Sequence, residues 1–146
     1  LEGVDGMNKW DQRFLGLAAH VAQWSKDPST QVGAVIVDEK NRVVSLGFNG
    51  FPRGVEDRDM PREQKLLRTI HAEVNALLFA RQDVEGCTMY VTHPPCAQCA
   101  AKIVQAGIRC VVWDKVSPEF FDRWADDINA ALAIYDEADM EYKEDD

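Results

Sequence analysis

His71-Ala72-Glu73 and Pro95-Cys96-Ala97-Gln98-Cys99 supply one imidazole, two thiols and one carboxylate. Zinc binds nitrogen and sulfur well, and three protein ligands leave a fourth position open for water. Zinc lowers the pKa of that water to roughly 7, so hydroxide becomes available at neutral pH. His71, Cys96 and Cys99 are therefore the candidate metal ligands. Glu73 has no metal role in such a set and is a candidate proton carrier. Structural zinc sites usually have four protein ligands, and here Cys87 or Cys110 would have to provide the last one. Both are isolated and flank strand-like segments, where small buried cysteines are common. A redox C-x-x-C is the other alternative, but the upstream H-x-E favours metal.

Both motifs fall where helices are expected to start. A helix N-terminus presents free N–H groups and positive potential, which favours thiolates. The i,i+3 spacing of Cys96 and Cys99 places both sulfurs on one helical face, and Pro95 suits a helix start. His71 and Glu73 are two residues apart, so an ideal helix would not align them. They must converge through side-chain length in the first turn.

The elements that must position these groups follow from periodicity. Trp10, Phe14, Leu17, Ala18, Val21 and Trp24 predict a helix that Asp27-Pro28-Ser29 ends. Val32–Val37 reads as a buried strand, residues 38–41 as a turn and Arg42–Phe48 as the returning strand. Asn49–Arg62, rich in Gly, Pro and charge, reads as a long loop. Helices are expected over Thr69–Ala80, Ala97–Gln105 and Pro118–Tyr135, and strands over Thr88–Thr92 and Ile108–Trp113. Met140–Tyr142 is a candidate last strand. That order implies a three-layer α/β/α sandwich, with parallel neighbours joined by helical crossovers.

The chain has 146 residues and a formal net charge of −9. The length suits one domain over residues 7–146. Leu1–Gly6 precede Met7 and read as an expression-derived remnant. Long nucleic acids call for basic surfaces, so the acidic balance argues against a polynucleotide partner. It leaves room for a small phosphorylated ligand. No apolar run approaches the roughly 20 residues of a membrane span. Reduced thiols and no evident signal peptide suggest a cytoplasmic protein.

H-x-E…P-C-x-x-C is a signature of zinc deaminases of nucleobases. Within the cytidine deaminase-like superfamily, the chain resembles the deoxycytidylate (dCMP) deaminases from Trp10 onward. Four segments carry the likeness: residues 25–34 (SKDPSTQVGA), 47–54 (GFNGFPRG), 71–76 (HAEVNA) and 92–99 (THPPCAQC). The resemblance implies a mixed five-stranded sheet between helices. It implies zinc on His71, Cys96 and Cys99, with Glu73 shuttling a proton as water replaces the amino group of dCMP to give dUMP. Asn49 would bond the deoxyribose and the Ala72 backbone the pyrimidine edge. Ser25 and Lys26 would be candidates for the 5′-phosphate. The likeness further implies a hexamer activated by dCTP with magnesium and inhibited by dTTP. Gly47, Phe48, Asn49, Gly50, Arg53 and Gly54 would form the effector loop.

His93 stands where many relatives carry a bulky apolar residue, as an added polar group at the pocket or as part of its shell. The Phe51–Lys65 stretch has no Cys or His for a second zinc. Arg53, Arg58 and Arg62 are effector-phosphate candidates or surface charges. Phe120, Phe121 and Trp124 form an oligomer face or belong to the core. Alternatives to dCMP are a free nucleoside, which the Ser25–Ala34 segment argues against, tRNA adenosine, which the charge argues against, or a pterin or riboflavin precursor. A non-catalytic zinc module is the alternative outside enzymes.

Overall fold

The computed structural model describes residues 8–145; the expected remnant Leu1–Gly6 lies outside them. Helix α1 (Lys9–Ala22) leads to the hairpin β1 (Gly33–Val37) and β2 (Val43–Phe48), then α2 (Arg62–Arg68) and α3 (Ala72–Phe79). The rest alternates: β3 (Thr88–Val91), α4 (Ala97–Gln105), β4 (Cys110–Asp114), α5 (Pro118–Glu137) and β5 (Glu141–Asp145). The strands form one sheet in the order β2-β1-β3-β4-β5. β1 is antiparallel to both neighbours, while β3, β4 and β5 run parallel. The expected five-stranded mixed sheet and three layers are thus present.

Strand side chains alternate between faces, and the core divides accordingly. Ala34, Ile36, Met89, Val91, Val111 and Trp113 pack with Ala72, Ala76, Ile103, Ala131 and Tyr135 from α3, α4 and α5. Val35, Val37, Tyr90, Cys110 and Val112 pack on the other face against Phe14, Leu15 and Ala18 of α1. β1 is buried along its whole length, which explains its uninterrupted apolar sequence. At the far side of the sheet, buried Asp11 of α1 accepts from Tyr90 Oη (2.7 Å) and Lys143 Nζ (3.0 Å). That pair ties α1 to β5.

Two differences from the sequence reading concern the segment before the first motif. Residues 62–68, expected to be loop at the start and unassigned after it, form α2. Pro61 takes the N-cap position, and Arg-Glu-Gln-Lys-Leu-Leu-Arg is rich in good helix formers. The helix expected from Thr69 instead begins at Ala72, because Thr69, Ile70 and His71 are extended and Ile70 pairs with Gly50 through two backbone bonds of 2.8 and 3.1 Å.

Close approach of β2 to α3 depends on Gly47. A Cβ there would stand 2.5 Å from the Ala76 amide nitrogen and 2.7 Å from the Ala72 carbonyl. Gly16 lies mid-helix on an exposed part of α1 with nothing within 4 Å of a built Cβ. Urea denaturation should therefore separate two glycine-to-alanine changes by sign. Gly47→Ala is expected to cost about 1–3 kcal/mol through overpacking, whereas Gly16→Ala is expected to stabilise by about 0.5–1 kcal/mol.

Candidate active site

α3 and α4 lie side by side on one face of the sheet and start close together. His71 is the N-cap of α3 and Cys96 the N-cap of α4, each with extended backbone. This resolves the spacing problem at His71-Ala72-Glu73. His71 stands outside the helix, so the 3.6-residue period does not govern its direction relative to Glu73. Cys99 N–H donates to Cys96 Sγ at 3.4 Å, so the sulfur itself caps α4. Pro95 precedes that cap.

The three donors converge. His71 Nδ1 is 3.3 Å from Cys99 Sγ and 3.5 Å from Cys96 Sγ, and all three ligand atoms lie within 4.8 Å of one another. Tetrahedral zinc with ordinary Zn–N and Zn–S bonds would separate nitrogen from sulfur by about 3.6 Å, so the set fits zinc. It also fixes Nδ1 as the coordinating nitrogen. Cys87 and Cys110 are buried and outside this cluster. Among the described residues His71, Cys96 and Cys99 form the one such group, and a tetrahedral ion held by three donors would keep a fourth position for water.

The charges around this point are tuned. The hydrogen bond to Cys99 and the imidazole beside it bring the Cys96 thiol down to about 4 despite burial. Its partner Cys99 is pushed up, first by that same bond and then by burial. Metal binding requires both sulfurs as thiolates, so it would be coupled to proton release. The bond to Cys96 raises His71. Glu73 is 4 % exposed, and burial pushes its carboxyl up to about 7. A carboxyl at that value can both take and return a proton at neutral pH.

These groups open on a cavity of about 440 Å³. His71, Glu73, Ala72, Asn49, Thr30 and Val32 line one part, and α2 and α5 complete the wall. Asn49 is buried and acts as a clamp. Its Oδ1 accepts from Val32 N–H (2.9 Å) and its Nδ2 donates to the Thr30 carbonyl (2.9 Å). Ser25 Oγ donates to the Asn49 carbonyl (2.8 Å) and accepts from Asp27 N–H (3.2 Å), so the hydroxyl is used inside the loop. Lys26 is exposed and does not line the cavity. Gly47 and Phe48 lie in β2, Gly50 bridges to Ile70, and Arg53 and Gly54 are exposed beyond it, away from the cavity wall.

His93 also lines the cavity, with its ring centroid 5.3 Å from that of Phe120. Gly33 N–H donates to Thr92 Oγ1 (3.2 Å), which lies 2.8 Å from His93 Nδ1. Burial lowers the His93 pKa.

Phe120, Trp124, Asp127 and Ile128 of α5, and Arg62, Lys65, Leu66 and Thr69 at α2, line the cavity too. Sequence reasoning did not assign these residues to it. On α5 the spacing i, i+4, i+7, i+8 is that of one helical face; at α2 the set Arg62, Lys65, Leu66 and Thr69 shares a face but has no apolar stripe to signal it.

An H-x-E and a P-C-x-x-C set at two converging helix starts, over one face of a mixed sheet, is the arrangement that the signature of zinc-dependent nucleobase deaminases calls for. The family described as the cytidine and deoxycytidylate deaminase zinc-binding region matches residues 8–115. The chain belongs to that family. It is 50% identical over 137 residues to a protein named as an uncharacterized deaminase in the luxG 3′ region of Aliivibrio fischeri, covering 92% of both chains. It is 36% identical over 148 residues to the deoxycytidylate deaminase of Homo sapiens, covering 95% of this chain and 81% of that one. The fold is similar to the crystal structure of the cyanophage S-TIM5 dCMP deaminase in complex with dCMP and dUMP. The TM-score there is 0.78 at 23% identity, over 96% of this chain and 99% of that one.

Metal analysis of the purified protein should find about one zinc per chain, with three ligands and an open position. His71→Ala and Cys99→Ala are each expected to abolish stoichiometric zinc, while Cys87→Ala leaves it unchanged. A fourth cysteine ligand would show itself as zinc loss in the Cys87 or Cys110 variant.

Proposed function

We propose that this chain deaminates dCMP hydrolytically, giving dUMP and ammonia and so supplying dUMP for thymidylate synthesis. The observation that carries this reading is the meeting of the His71–Cys96–Cys99 donor set with the buried, proton-exchanging carboxyl of Glu73 in one cavity. Relatives named deoxycytidylate deaminase support the choice of nucleotide. Zinc held by the triad would supply a water acidified to about pKa 7 and a positive charge beside the reacting carbon.

The protein's own groups do the rest. Glu73 takes a proton from the attacking water and delivers it to the ring nitrogen next to the amino-bearing carbon. A carbon–oxygen bond forms at that carbon; Glu73 then takes the proton left on the added hydroxyl and passes it to the amine, whose carbon–nitrogen bond breaks as the oxygen becomes a carbonyl and ammonia leaves. The Ala72 backbone, on the cavity wall, takes the pyrimidine edge. Asn49 shapes the sugar end by fixing residues 30–32, and the spare proton of its amide is a donor for the deoxyribose. Leu66, Phe120 and Trp124 give the cavity an apolar wall.

The same reading extends to assembly and control. Leu66, Leu67, Leu78 and Phe79 are exposed apolar residues, which suits burial between subunits and supports a hexamer. The Gly47–Gly54 segment is the candidate site for dCTP with magnesium and for dTTP. It leads from β2 straight into the Gly50–Ile70 bridge that precedes His71. No helix in the described residues is long and apolar enough to cross a membrane, and the free thiols suit a reducing cytoplasm.

Two measurements test these statements. Glu73→Gln is expected to keep its zinc while dCMP turnover, followed by ultraviolet absorbance, falls by about 10²- to 10⁴-fold; full turnover in that variant would remove Glu73 from the chemistry. Light scattering in dCTP–Mg²⁺ is expected to give a mass near six protomers of 16.4 kDa, with dTTP lowering and dCTP raising the initial rate. A monomer with unregulated turnover would leave catalysis standing and remove assembly and control.

A further inference from the structure

We propose that Arg62 and Lys65, on the cavity side of α2, hold the 5′-phosphate of the nucleoside monophosphate. This rests on the nucleotide reading above and gives it residues. A phosphomonoester dianion entering a protein of net charge −9 needs local positive charge at the site. Among the described residues, Arg62 and Lys65 are the only lysine or arginine side chains that line the cavity.

The helix itself sorts its cations. Residues 62, 65, 66 and 69 face the cavity, while 63, 64, 67 and 68 do not. Arg68, on the other side, is tied up, because its Nη1 donates to the carbonyl and the side-chain oxygen of Gln64 (3.0 and 2.9 Å). Arg62 and Lys65 make neither an ion pair nor a side-chain hydrogen bond among the described residues. The ion pairs present use Arg42, Arg109 and Lys143. The cavity carboxylates do not neutralise the two cations either. Asp27 Oδ1 accepts from Ser29 and Thr30 N–H (2.8 and 3.0 Å), and Asp127 accepts from Ala97 N–H (3.3 Å).

The competing pair from the sequence fits less well. Ser25 Oγ is spent on Asn49 and Asp27, and Lys26 lies off the cavity wall. A guanidinium and an ammonium one helical turn apart can both reach a single phosphate, the first through paired N–H donors and the second as a point charge.

The test compares kcat/KM for dCMP and for deoxycytidine in zinc-loaded wild type, Arg62→Gln, Lys65→Gln, the double variant, and the charge-keeping Arg62→Lys and Lys65→Arg. Hydrogen bonds to charged groups are worth about 1.5–3 kcal/mol, so each Gln change should lower the dCMP-to-deoxycytidine ratio about tenfold or more. The double variant should lower it further, mainly through KM for dCMP, and the charge-keeping pair should retain most of it. An unchanged ratio in the double variant overturns the assignment and leaves the dCMP reading intact. So does loss of preference in Lys26→Gln instead. A wild type with no preference for dCMP overturns both together.

Discussion

Everything at this site depends on two helices beginning at the same place. α3 and α4 are short; His71 and Cys96 stand at their starts as N-caps, and Glu73 and Cys99 lie in their first turns. An N-cap side chain points back across the helix start, where unpaired amides and the helix dipole favour negative charge. The sheet order brings this about. β3 and β1 are neighbours at its centre, α4 leaves the C-terminal end of β3, and α3 packs over β1 and β2. With both helices on one face, His71 meets Cys96 and Cys99 although 25 residues separate it from the nearer one.

That convergence sets unlike demands on neighbouring side chains. The sulfurs need to be anionic and are helped by amides and by imidazole. Glu73 lies in the first turn of α3 but is buried where an anion is disfavoured, so its carboxyl holds protons far more readily than a free one. Two adjoining helix starts therefore hold groups of opposite preference, thiols that favour the anion at α4 and a carboxyl that favours the proton at α3. The separation comes from burial: Cys96 is partly open and Glu73 is closed in.

Much of this was legible in the sequence, for identifiable reasons. β1 could be read because five consecutive buried residues leave an uninterrupted apolar run, and α4 because Cys-x-x-Cys and Gly107 mark its two ends. The candidate metal donors could be named because their residue types and spacing are restrictive. α2 was less legible. Its Leu66 and Leu67 are exposed in the chain, so no buried stripe reveals it, and Pro61 and the charges before it resemble loop. The α5 wall was hidden for the opposite reason. Phe120 and Trp124 look like ordinary core or contact aromatics, and only the tertiary path of α5 turns them toward the cavity. Ser25 and Asn49 were noticed for their types, but no periodicity could disclose that each is engaged by the other's loop.

The Asn49 clamp bears on how this sequence can drift. Asn-Gly after a strand ordinarily marks a turn in which Asn and Asp exchange with little consequence. Here the side chain gives a proton to the Thr30 carbonyl and receives one from the Val32 amide. Aspartate has the same outline but no N–H. It would set a carboxylate against a carbonyl in a buried position, with Ser25 still anchored to the backbone behind it. The most conservative single-atom exchange available at this position is thus closed, and a dipeptide that looks interchangeable on paper is constrained by the direction in which its hydrogen bonds run.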